Sequence, residues 1–226
     1  MSTLILNIET ATTNCSVSLS RNGETIVLKE DYNNNYSHAE KLHLFIDKVL
    51  KEANINSKQL DAIAISKGPG SYTGLRIGVS AAKGLCFALD KPLISVPTLQ
   101  ALAHQVKTGD GVIVAMLDAR RMEVYAATFA ANYIQIRETQ AQILDNNAFA
   151  EYLETHKVSF IGNGVEKTKA LVNHPNAIFI EDKLPSSNEM SLLAYNKYKK
   201  NDFEDVAYFE PYYLKDFVAL KPKSSS

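Results

Sequence analysis

The chain has 226 residues, 46% of them hydrophobic, and a formal net charge of −1 at pH 7. This composition excludes a chain that is disordered over most of its length, and the near-zero charge excludes a whole-molecule field that would attract RNA. Two cysteines are too few for a disulfide framework, and no signal indicates secretion or a membrane span, so we expect a globular protein of the cytoplasm without membrane contact.

The first half of the chain predicts three strands and then helices that alternate with strands. Strand-like runs open it at residues 4–8, 16–20 and 25–29, and the Asn22-Gly23 pair predicts a hairpin turn between the last two. Ser37 and Glu40 form a capping-box pattern ahead of a helix that extends to residue 53. The later elements are a strand, a helix, a strand and a helix, at residues 60–66, 73–88, 93–96 and 97 to about 106.

The second half repeats this order of elements. Three strands are predicted at residues 111–117, 123–130 and 133–136, and Asp145 is expected to cap a helix that carries Phe149. A strand, a helix, a strand and a last helix, which opens on a second capping-box pattern, follow at residues 158–161, 166–172, 177–180 and 186–198. We therefore expect an α/β protein of two lobes, residues 1–107 and 108–226, each β-β-β-α-β-α-β-α with a mixed sheet, and a cleft between them.

A glycine-rich segment follows the predicted strand at residues 60–66 and leads into a helix. It reads Lys67-Gly68-Pro69-Gly70-Ser71-Tyr72-Thr73-Gly74. A Walker loop ends in Lys followed by Ser or Thr, and a dinucleotide fingerprint reads G-x-G-x-x-G, so this loop is neither. The N–H groups at the helix start favour an anion. The glycines also allow a tight turn into a helix that a neighbour can approach, and we interpret the loop mainly as the entrance to an interface.

The predicted helix at residues 73–88 carries seven glycine, alanine and serine residues and only two charges, Arg76 and Lys83. Because each interior glycine weakens an exposed helix by about 1 kcal/mol, such a helix is normally buried on more than one face. One face covers its own sheet. The other packs either against the chain's own helix at residues 37–53 or against a partner, and the residues leave both alternatives open.

Five segments of the chain carry a family resemblance when they are taken in order. They are Ile8-Glu9-Thr10-Ala11-Thr12, Ser37-His38-Ala39-Glu40, the loop from Gly68 to Gly78, Asp118-Ala119-Arg120-Arg121-Met122-Glu123-Val124-Tyr125 and Glu210-Pro211-Tyr212-Tyr213-Leu214. Together they resemble the TsaB (YeaZ) family, the non-catalytic subunit of the bacterial machinery that makes N6-threonylcarbamoyladenosine (t6A) at position 37 of tRNA. The resemblance covers nearly the whole chain. It implies an actin-like ATPase fold of the sugar-kinase, Hsp70 and RNase H-like kind, with the two lobes predicted above.

The resemblance also implies a scaffold and activating subunit that has no catalytic residue of its own. Its partners would be the TsaE-type ATPase and the TsaD-type catalytic subunit, which transfers threonylcarbamoyl from threonylcarbamoyl-AMP to adenosine 37 of tRNAs that read ANN codons. tRNA would be contacted only within that complex. The helices at residues 37–53 and 73–88 would pair with the same helices of TsaD or of a second copy of the chain. The interface candidates on them are Ser37, His38, Leu42, Phe45, Arg76, Ile77, Ser80, Ala81, Gly84 and Leu85.

The nucleotide cleft implied by the fold is expected to be degraded. Glu9 stands where the family commonly has Asp, and its longer side chain alters the reach of the carboxylate toward a metal. Ala119 and Arg120 follow Asp118 where a phosphate hairpin needs glycines. We expect no cofactor on the chain alone, and ATP or ADP with Mg²⁺ only at the partner boundary. The cleft candidates are Glu9, Thr10, Thr12, Gly70, Asp118 and Arg120, and an ion pair between the last two, which would close the turn, is the structural alternative.

Two enzyme classes are the alternatives to a scaffold. An autonomous nucleotide-dependent phosphotransferase or hydrolase needs a working metal and phosphate site. A glycoprotease-like peptidase needs a nucleophile, and Ser71 lies at a helix start, where a turn or cap role is expected instead. No metal site is predicted, because His38 and His43 are five positions apart and point away from each other on a helix.

The end of the chain carries two further expectations. The aromatic segment Glu210-Pro211-Tyr212-Tyr213-Leu214 is expected to pack on the lobes rather than to bind a ligand. The tail that follows from Lys215, with Lys221 and Lys223, is expected to be mobile, and its basic residues are either solvated or close to tRNA phosphates.

Overall fold

The computed structural model describes residues 2–32 and 37–215, and the first lobe begins with three strands. Its elements are β1 (Leu4–Glu9), β2 (Cys15–Arg21), β3 (Glu24–Asp31), α1 (His38–Glu52), a 3-10 turn (Ser57–Gln59), β4 (Ala62–Ser66), α2 (Tyr72–Leu89), β5 (Leu93–Val96) and α3 (Thr98–Ala103). The strand order is β3-β2-β1-β4-β5. β1, β2 and β3 are antiparallel, whereas β4 is parallel to β1 and β5 to β4, so the sheet is mixed as predicted.

The second lobe has the same plan. Its elements are β6 (Val112–Asp118), β7 (Glu123–Ala130), β8 (Gln135–Ile143), α4 (Ala150–Leu153), β9 (Val158–Ile161), α5 (Val165–Lys169), β10 (Ala177–Ile180) and α6 (Ser187–Lys199). The strand order is β8-β7-β6-β9-β10, which matches that of the first sheet. The predicted repeat of β-β-β-α-β-α-β-α is therefore confirmed. None of the helices in the described ranges has the length and apolar character needed to cross a membrane.

Each sheet packs its outer face against helices of its own lobe. α1 and α2 cover the first sheet, where Leu42, Val49 and Ala82 are fully buried. Apolar side chains three, four and seven residues apart lie on one side of a helix, which is why these residues reach the sheet together. In the second lobe, Leu153 of α4 and Val165 of α5 occupy the corresponding core.

The inner faces of the two sheets are covered by helices that cross between the lobes. Leu99 and Leu102 of α3 pack against the second sheet, although α3 follows β5 in the chain. Met190 and Ala194 of α6 pack beside Ile5 on the first sheet. Relative to the predicted division at residue 107, α3 and α6 thus each pack on the sheet that the other part of the chain forms. The ends of β1 and β6 lie at one cleft between the lobes.

Three helix starts differ from the sequence prediction. Ser37 precedes α1, but its Oγ donates to Asp31 Oδ2 at 2.8 Å, so the predicted capping box is absent. Ser186 accepts from the backbone N–H of Asn188 at 3.0 Å instead of forming a box with Glu189. Asp145 accepts from Asn147 N at 2.9 Å in a turn, and α4 begins only at Ala150. Ser186 is therefore an N-cap without the reciprocal bond of a box, whereas the Asp145 side chain closes a turn, which is a common competitor of helix capping.

Candidate functional site

A cleft of about 380 Å³ lies between the lobes, at the ends of β1 and β6. The β1–β2 turn and the glycine-rich loop line it from the first lobe, and the β6–β7 turn lines it from the second. Four of the six cleft candidates, Thr12, Gly70, Asp118 and Arg120, are on its surface. The other two, Glu9 and Thr10, are fully buried and do not line it.

The carboxyl group of Glu9 is held inside the first lobe. Its Oε1 accepts hydrogen bonds from Ala11 N at 2.6 Å and from Ser66 Oγ at 2.8 Å. Burial is the main cause that raises the pKa of Glu9 from 4.5 to about 7. The other oxygen, Oε2, has no hydrogen-bond partner within the described ranges. The side chain therefore joins the β1–β2 turn to the end of β4.

Three glycines allow the β1–β2 turn to pack directly on the loop and on α2. A methyl group at Gly70 would overlap Ala11, and methyl groups at Gly74 and Gly78 would overlap the carbonyl oxygen and the hydroxyl of Thr10. At these three positions, the close neighbour that the glycines admit is therefore a segment of the chain itself. Gly84 is different, because no atom lies within 4 Å of a methyl group placed there.

Lys167 of α5 holds the β6–β7 turn on the other side of the cleft. Its Nζ donates to Asp118 Oδ1 at 2.8 Å and to the carbonyl oxygens of Arg121 and Glu123. Asp118 Oδ1 also accepts from the backbone N–H of Arg120 at 2.6 Å. The predicted ion pair between Asp118 and Arg120 is therefore wrong, because the aspartate pairs with Lys167. Arg120 and Arg121 take φ values of 67° and 49°, a conformation that Asn and Gly usually supply in such hairpin turns.

Ser71 is the N-cap of α2. Its Oγ accepts from the backbone N–H of Gly74 at 3.3 Å, which confirms the predicted cap role. Within residues 2–32 and 37–215, no histidine or carboxylate forms a hydrogen bond with this hydroxyl. The arrangement that would activate a serine nucleophile does not surround Ser71, because an activated serine needs an adjacent base.

Residues 204–215, which we call the C-terminal strap, follow the last helix, and residues 212–215 of the strap line the cleft. Glu204 N donates to Leu93 O at 2.9 Å, and Lys83 Nζ donates to the carbonyl oxygens of residues 207 and 209 at 3.1 and 3.0 Å. Farther along, Tyr212 N donates to Lys67 O at 2.7 Å. The expectation that this aromatic segment packs on the lobes is confirmed. The predicted mobile tail with Lys221 and Lys223 lies outside the described residues, apart from Lys215.

A second depression lies on the outside of the first lobe, and we call it the α1–α2 groove. It is lined by His43 of α1 and by Arg76, Ile77, Ser80, Ala81, Gly84 and Leu85 of α2. The six residues of α2 in this lining are the six interface candidates predicted on that helix. Phe87 lies seven residues after Ser80, hence on the same side of the helix, and is 86% exposed. The outward side of α2 is therefore apolar and open.

The four interface candidates at α1 and its N-cap lie outside this groove. Leu42 is fully buried, and His38 is buried and donates from Nε2 to Thr12 O at 2.7 Å. Burial also lowers the pKa of His38. Phe45 packs partly against the core and borders a different, charged depression, and Ser37 bonds Asp31. A partner in the α1–α2 groove does not reach Leu42 or His38, so their assignment as contacts is corrected.

Sequence reasoning missed three residues of these two sites. His43 follows buried Leu42 in α1 and faces the groove, and Phe87 continues the outward side of α2. Helical spacing from Ser80 was the signal available for Phe87. Lys167 had no signal, because its contact with Asp118 joins residues 49 positions apart in the chain.

The residues of the cleft do not fit a bound Mg²⁺. Glu9 is turned inward, and Asp118 is paired with Lys167. Over the part of the chain that the structure describes, no group of three His, Cys, Asp or Glu side chains is arranged as a metal site. Cys15 and Cys86 are buried, and burial raises the pKa of each thiol to about 12.

Known proteins resemble this chain in sequence and in structure. Residues 33–223 match the family described as TsaD: tRNA N6-adenosine threonylcarbamoyltransferase. The tRNA threonylcarbamoyladenosine biosynthesis protein TsaB of Escherichia coli K12 is 29% identical, with 96% of each chain covered. The TsaB of Buchnera aphidicola subsp. Schizaphis graminum is 30% identical, over 93% of this chain and 86% of the relative.

A solved structure extends this likeness to the fold. The crystal structure of an uncharacterized protein with similarity to peptidase YEAZ, from Pseudomonas aeruginosa, superimposes with a TM-score of 0.83. It is 25% identical and covers 94% of this chain and 100% of its own. Together with the duplicated mixed sheets, the likeness confirms the actin-like ATPase fold implied by the sequence resemblance.

Proposed function

We infer the function from the family, because this chain belongs to the TsaB (YeaZ) family of t6A biosynthesis proteins. It is a protein of tRNA t6A biosynthesis. Within that process we propose that it is the non-catalytic scaffold and activating subunit of the threonylcarbamoyl transfer to adenosine 37. Its contact with a TsaD-type catalytic subunit is made through the α1–α2 groove.

The open, apolar side of α2 is the observation that carries this proposal. Ile77, Ala81 and Leu85 line the groove, and Phe87 stands beyond them in solvent. Exposed apolar surface of this kind is typical of interaction sites, and small residues let a second helix approach closely. The match to the TsaD family covers both helices, which supports a catalytic partner that presents helices of the same kind.

The residues that correspond to a nucleotide site in this fold already make contacts within the chain, and this supports a chain that is inactive alone. Glu9 bonds Ala11 and Ser66, Asp118 pairs with Lys167, and the loop glycines pack on the β1–β2 turn. A working ATPase needs carboxylates that are free to organise a metal and amides that are free to reach phosphates. We propose that ATP or ADP with Mg²⁺ binds only at the boundary with the catalytic subunit, which supplies the metal ligands.

Three further contacts belong to the same proposal. A second copy of the chain occupies the same groove and competes with the catalytic subunit. The TsaE-type ATPase joins the heterodimer, and tRNA is contacted only in the complete complex. The near-zero net charge of the chain supports the last point, since phosphate contacts then have to be local or supplied by a partner.

The test is the mass of the assembly that forms with the cognate TsaD-type subunit, measured by light scattering with and without ATP. We expect a heterodimer, and no ATP hydrolysis above background by the chain alone. A mixture that stays at the masses of its separate components, with or without ATP, would contradict the scaffold. Hydrolysis by the chain alone at enzymatic rates would favour the autonomous phosphotransferase or hydrolase instead.

A further inference from the structure

The C-terminal strap crosses the cleft from the first lobe to the second. On the first lobe, Tyr212 lies so close to Gly68 that a methyl group there would be 2.7 Å from the Tyr212 carbonyl oxygen. On the second lobe, Lys215 Nζ pairs with Glu123 of β7. Between these two attachments, residues 212–215 line the cleft. The strap therefore occupies space through which a ligand would enter.

The middle of the strap rests on the first residue of α2. The ring of Tyr213 lies against the ring of Tyr72, with 5.0 Å between centroids and 38° between planes. Burial, with Tyr72 as the next cause, raises the pKa of Tyr213. The Tyr72 hydroxyl accepts from Arg76 Nη1 at 2.8 Å, and the guanidinium lies 5.2 Å from the centre of the Tyr72 ring. Arg76 thus helps to fix the ring on which Tyr213 rests.

Arg76 also lines the α1–α2 groove. A carboxylate on a helix docked in the groove would compete with the Tyr72 hydroxyl for the guanidinium. The carboxylate is the stronger acceptor, because it carries a negative charge and can accept two parallel hydrogen bonds from the guanidinium, whereas the Tyr72 hydroxyl is neutral and accepts one. The groove and the strap are therefore connected by the side chains of Arg76, Tyr72 and Tyr213.

We propose that the strap is a gate on the cleft, and that docking of an acidic partner helix in the α1–α2 groove releases it. The partner withdraws Arg76 from Tyr72, Tyr213 separates from Tyr72, and the cleft opens toward the partner boundary. This inference rests on the proposed function. It adds an order of events: the catalytic subunit docks first, and the ATP or ADP of the proposed function enters at the partner boundary afterwards.

Linkage between docking and release makes the gate testable. If docking has to release the strap, part of the binding free energy is spent on detaching it. A variant whose strap is held less tightly should therefore bind the catalytic subunit more tightly by the same factor. Tyr213→Ala removes the aromatic pair and is expected to tighten binding of the catalytic subunit about fivefold. Tyr213→Phe keeps the ring and the wild-type affinity. Tyr208→Ala is the matched control from the same segment, because Tyr208 is 84% exposed, and it gives no gain in affinity.

A spectroscopic reporter tests the movement itself. The chain contains no tryptophan, so Tyr213→Trp places one indole at the gate. The partner's own fluorescence is subtracted. The emission of the tryptophan at position 213 is then expected to shift to the red when the complex forms, because the indole enters water. Tyr152→Trp, against the core of the second lobe, shows no shift.

The outcomes separate the gate from the proposed function. If no complex forms, the proposed function fails. If the complex forms, but Tyr213→Ala does not tighten it and the indole at position 213 does not shift, the gate is overturned and the scaffold stands.

Discussion

The carboxyl group of Glu9 is fully buried, and its pKa is raised from 4.5 to about 7. Between these two values the folded protein keeps the proton, and the unfolded chain releases it. The free energy of unfolding therefore falls as the pH rises through this window, by about 3 kcal/mol in total, and levels off above pH 7.

Glu9→Gln is expected to abolish this part of the pH dependence, because glutamine is neutral at every pH and its carbonyl oxygen accepts the bonds from Ala11 and Ser66. Urea unfolding at pH 5 and pH 8 measures the effect. The difference in the free energy of unfolding between these pH values should be smaller in the variant than in the wild type. An unchanged difference would show that Glu9 is not protonated inside the fold.

Gly78 is expected to resist replacement, because a methyl group there would overlap the Thr10 hydroxyl. Gly78→Ala should lower the free energy of unfolding by about 3 kcal/mol, the upper end of the usual cost of overpacking. Gly109 is the matched control, since no atom lies within 4 Å of a methyl group at that position. Urea unfolding measures the stability of Gly78→Ala and of the control Gly109→Ala. If both variants were as stable as the wild type, the close packing of the β1–β2 turn on α2 would be contradicted.

At the scale of single elements, α2 was predicted much better than α1. The small residues of α2 leave few apolar side chains for its own core, so its outward side could be read from composition, and all six candidates line the groove. At α1, the resemblance implies four partner contacts, of which Leu42 and Phe45 are large apolar side chains at helical spacing. Those side chains are the ones that bury against the helix's own sheet, as Leu42 does. Helical spacing identifies the apolar face of a helix, but it does not say whether the chain's own sheet or a partner covers that face.

A substitution at Gly84 of α2 should have opposite effects on the stability of the chain and on its binding of the partner. Because the space around it is open, Gly84→Ala should raise the free energy of unfolding by about 1 kcal/mol through helix propensity alone. The added methyl keeps a partner helix at a distance, and the affinity for the catalytic subunit should fall about tenfold. Thermal unfolding and calorimetric titration measure the two effects. A variant that is more stable and binds as well as the wild type would place the contact elsewhere.

At the scale of the whole molecule, the order of elements was sufficient to predict two lobes of one plan. The exchange of α3 and α6 between the lobes was not predictable, because it depends on packing between distant segments. Ile5 of β1 and Met190 of α6 belong to one core cluster, although they are 185 residues apart in the chain. The same holds for the strap, whose aromatic composition indicated packing but not the cleft that it lines. Local patterns therefore fixed the elements, and tertiary packing fixed the site.

The central claim is that a catalytic partner docks in the α1–α2 groove, and a pair of glycines tests it most directly. Gly84 and Gly109 are both exposed, and neither has an atom within 4 Å of an added methyl group, but only Gly84 lies in the groove. Each is replaced by Glu, folding is checked by circular dichroism, and the dissociation constant with the TsaD-type subunit is measured by calorimetry. We expect Gly84→Glu to abolish binding and Gly109→Glu to bind as the wild type does. Wild-type affinity in a folded Gly84→Glu variant would contradict the account.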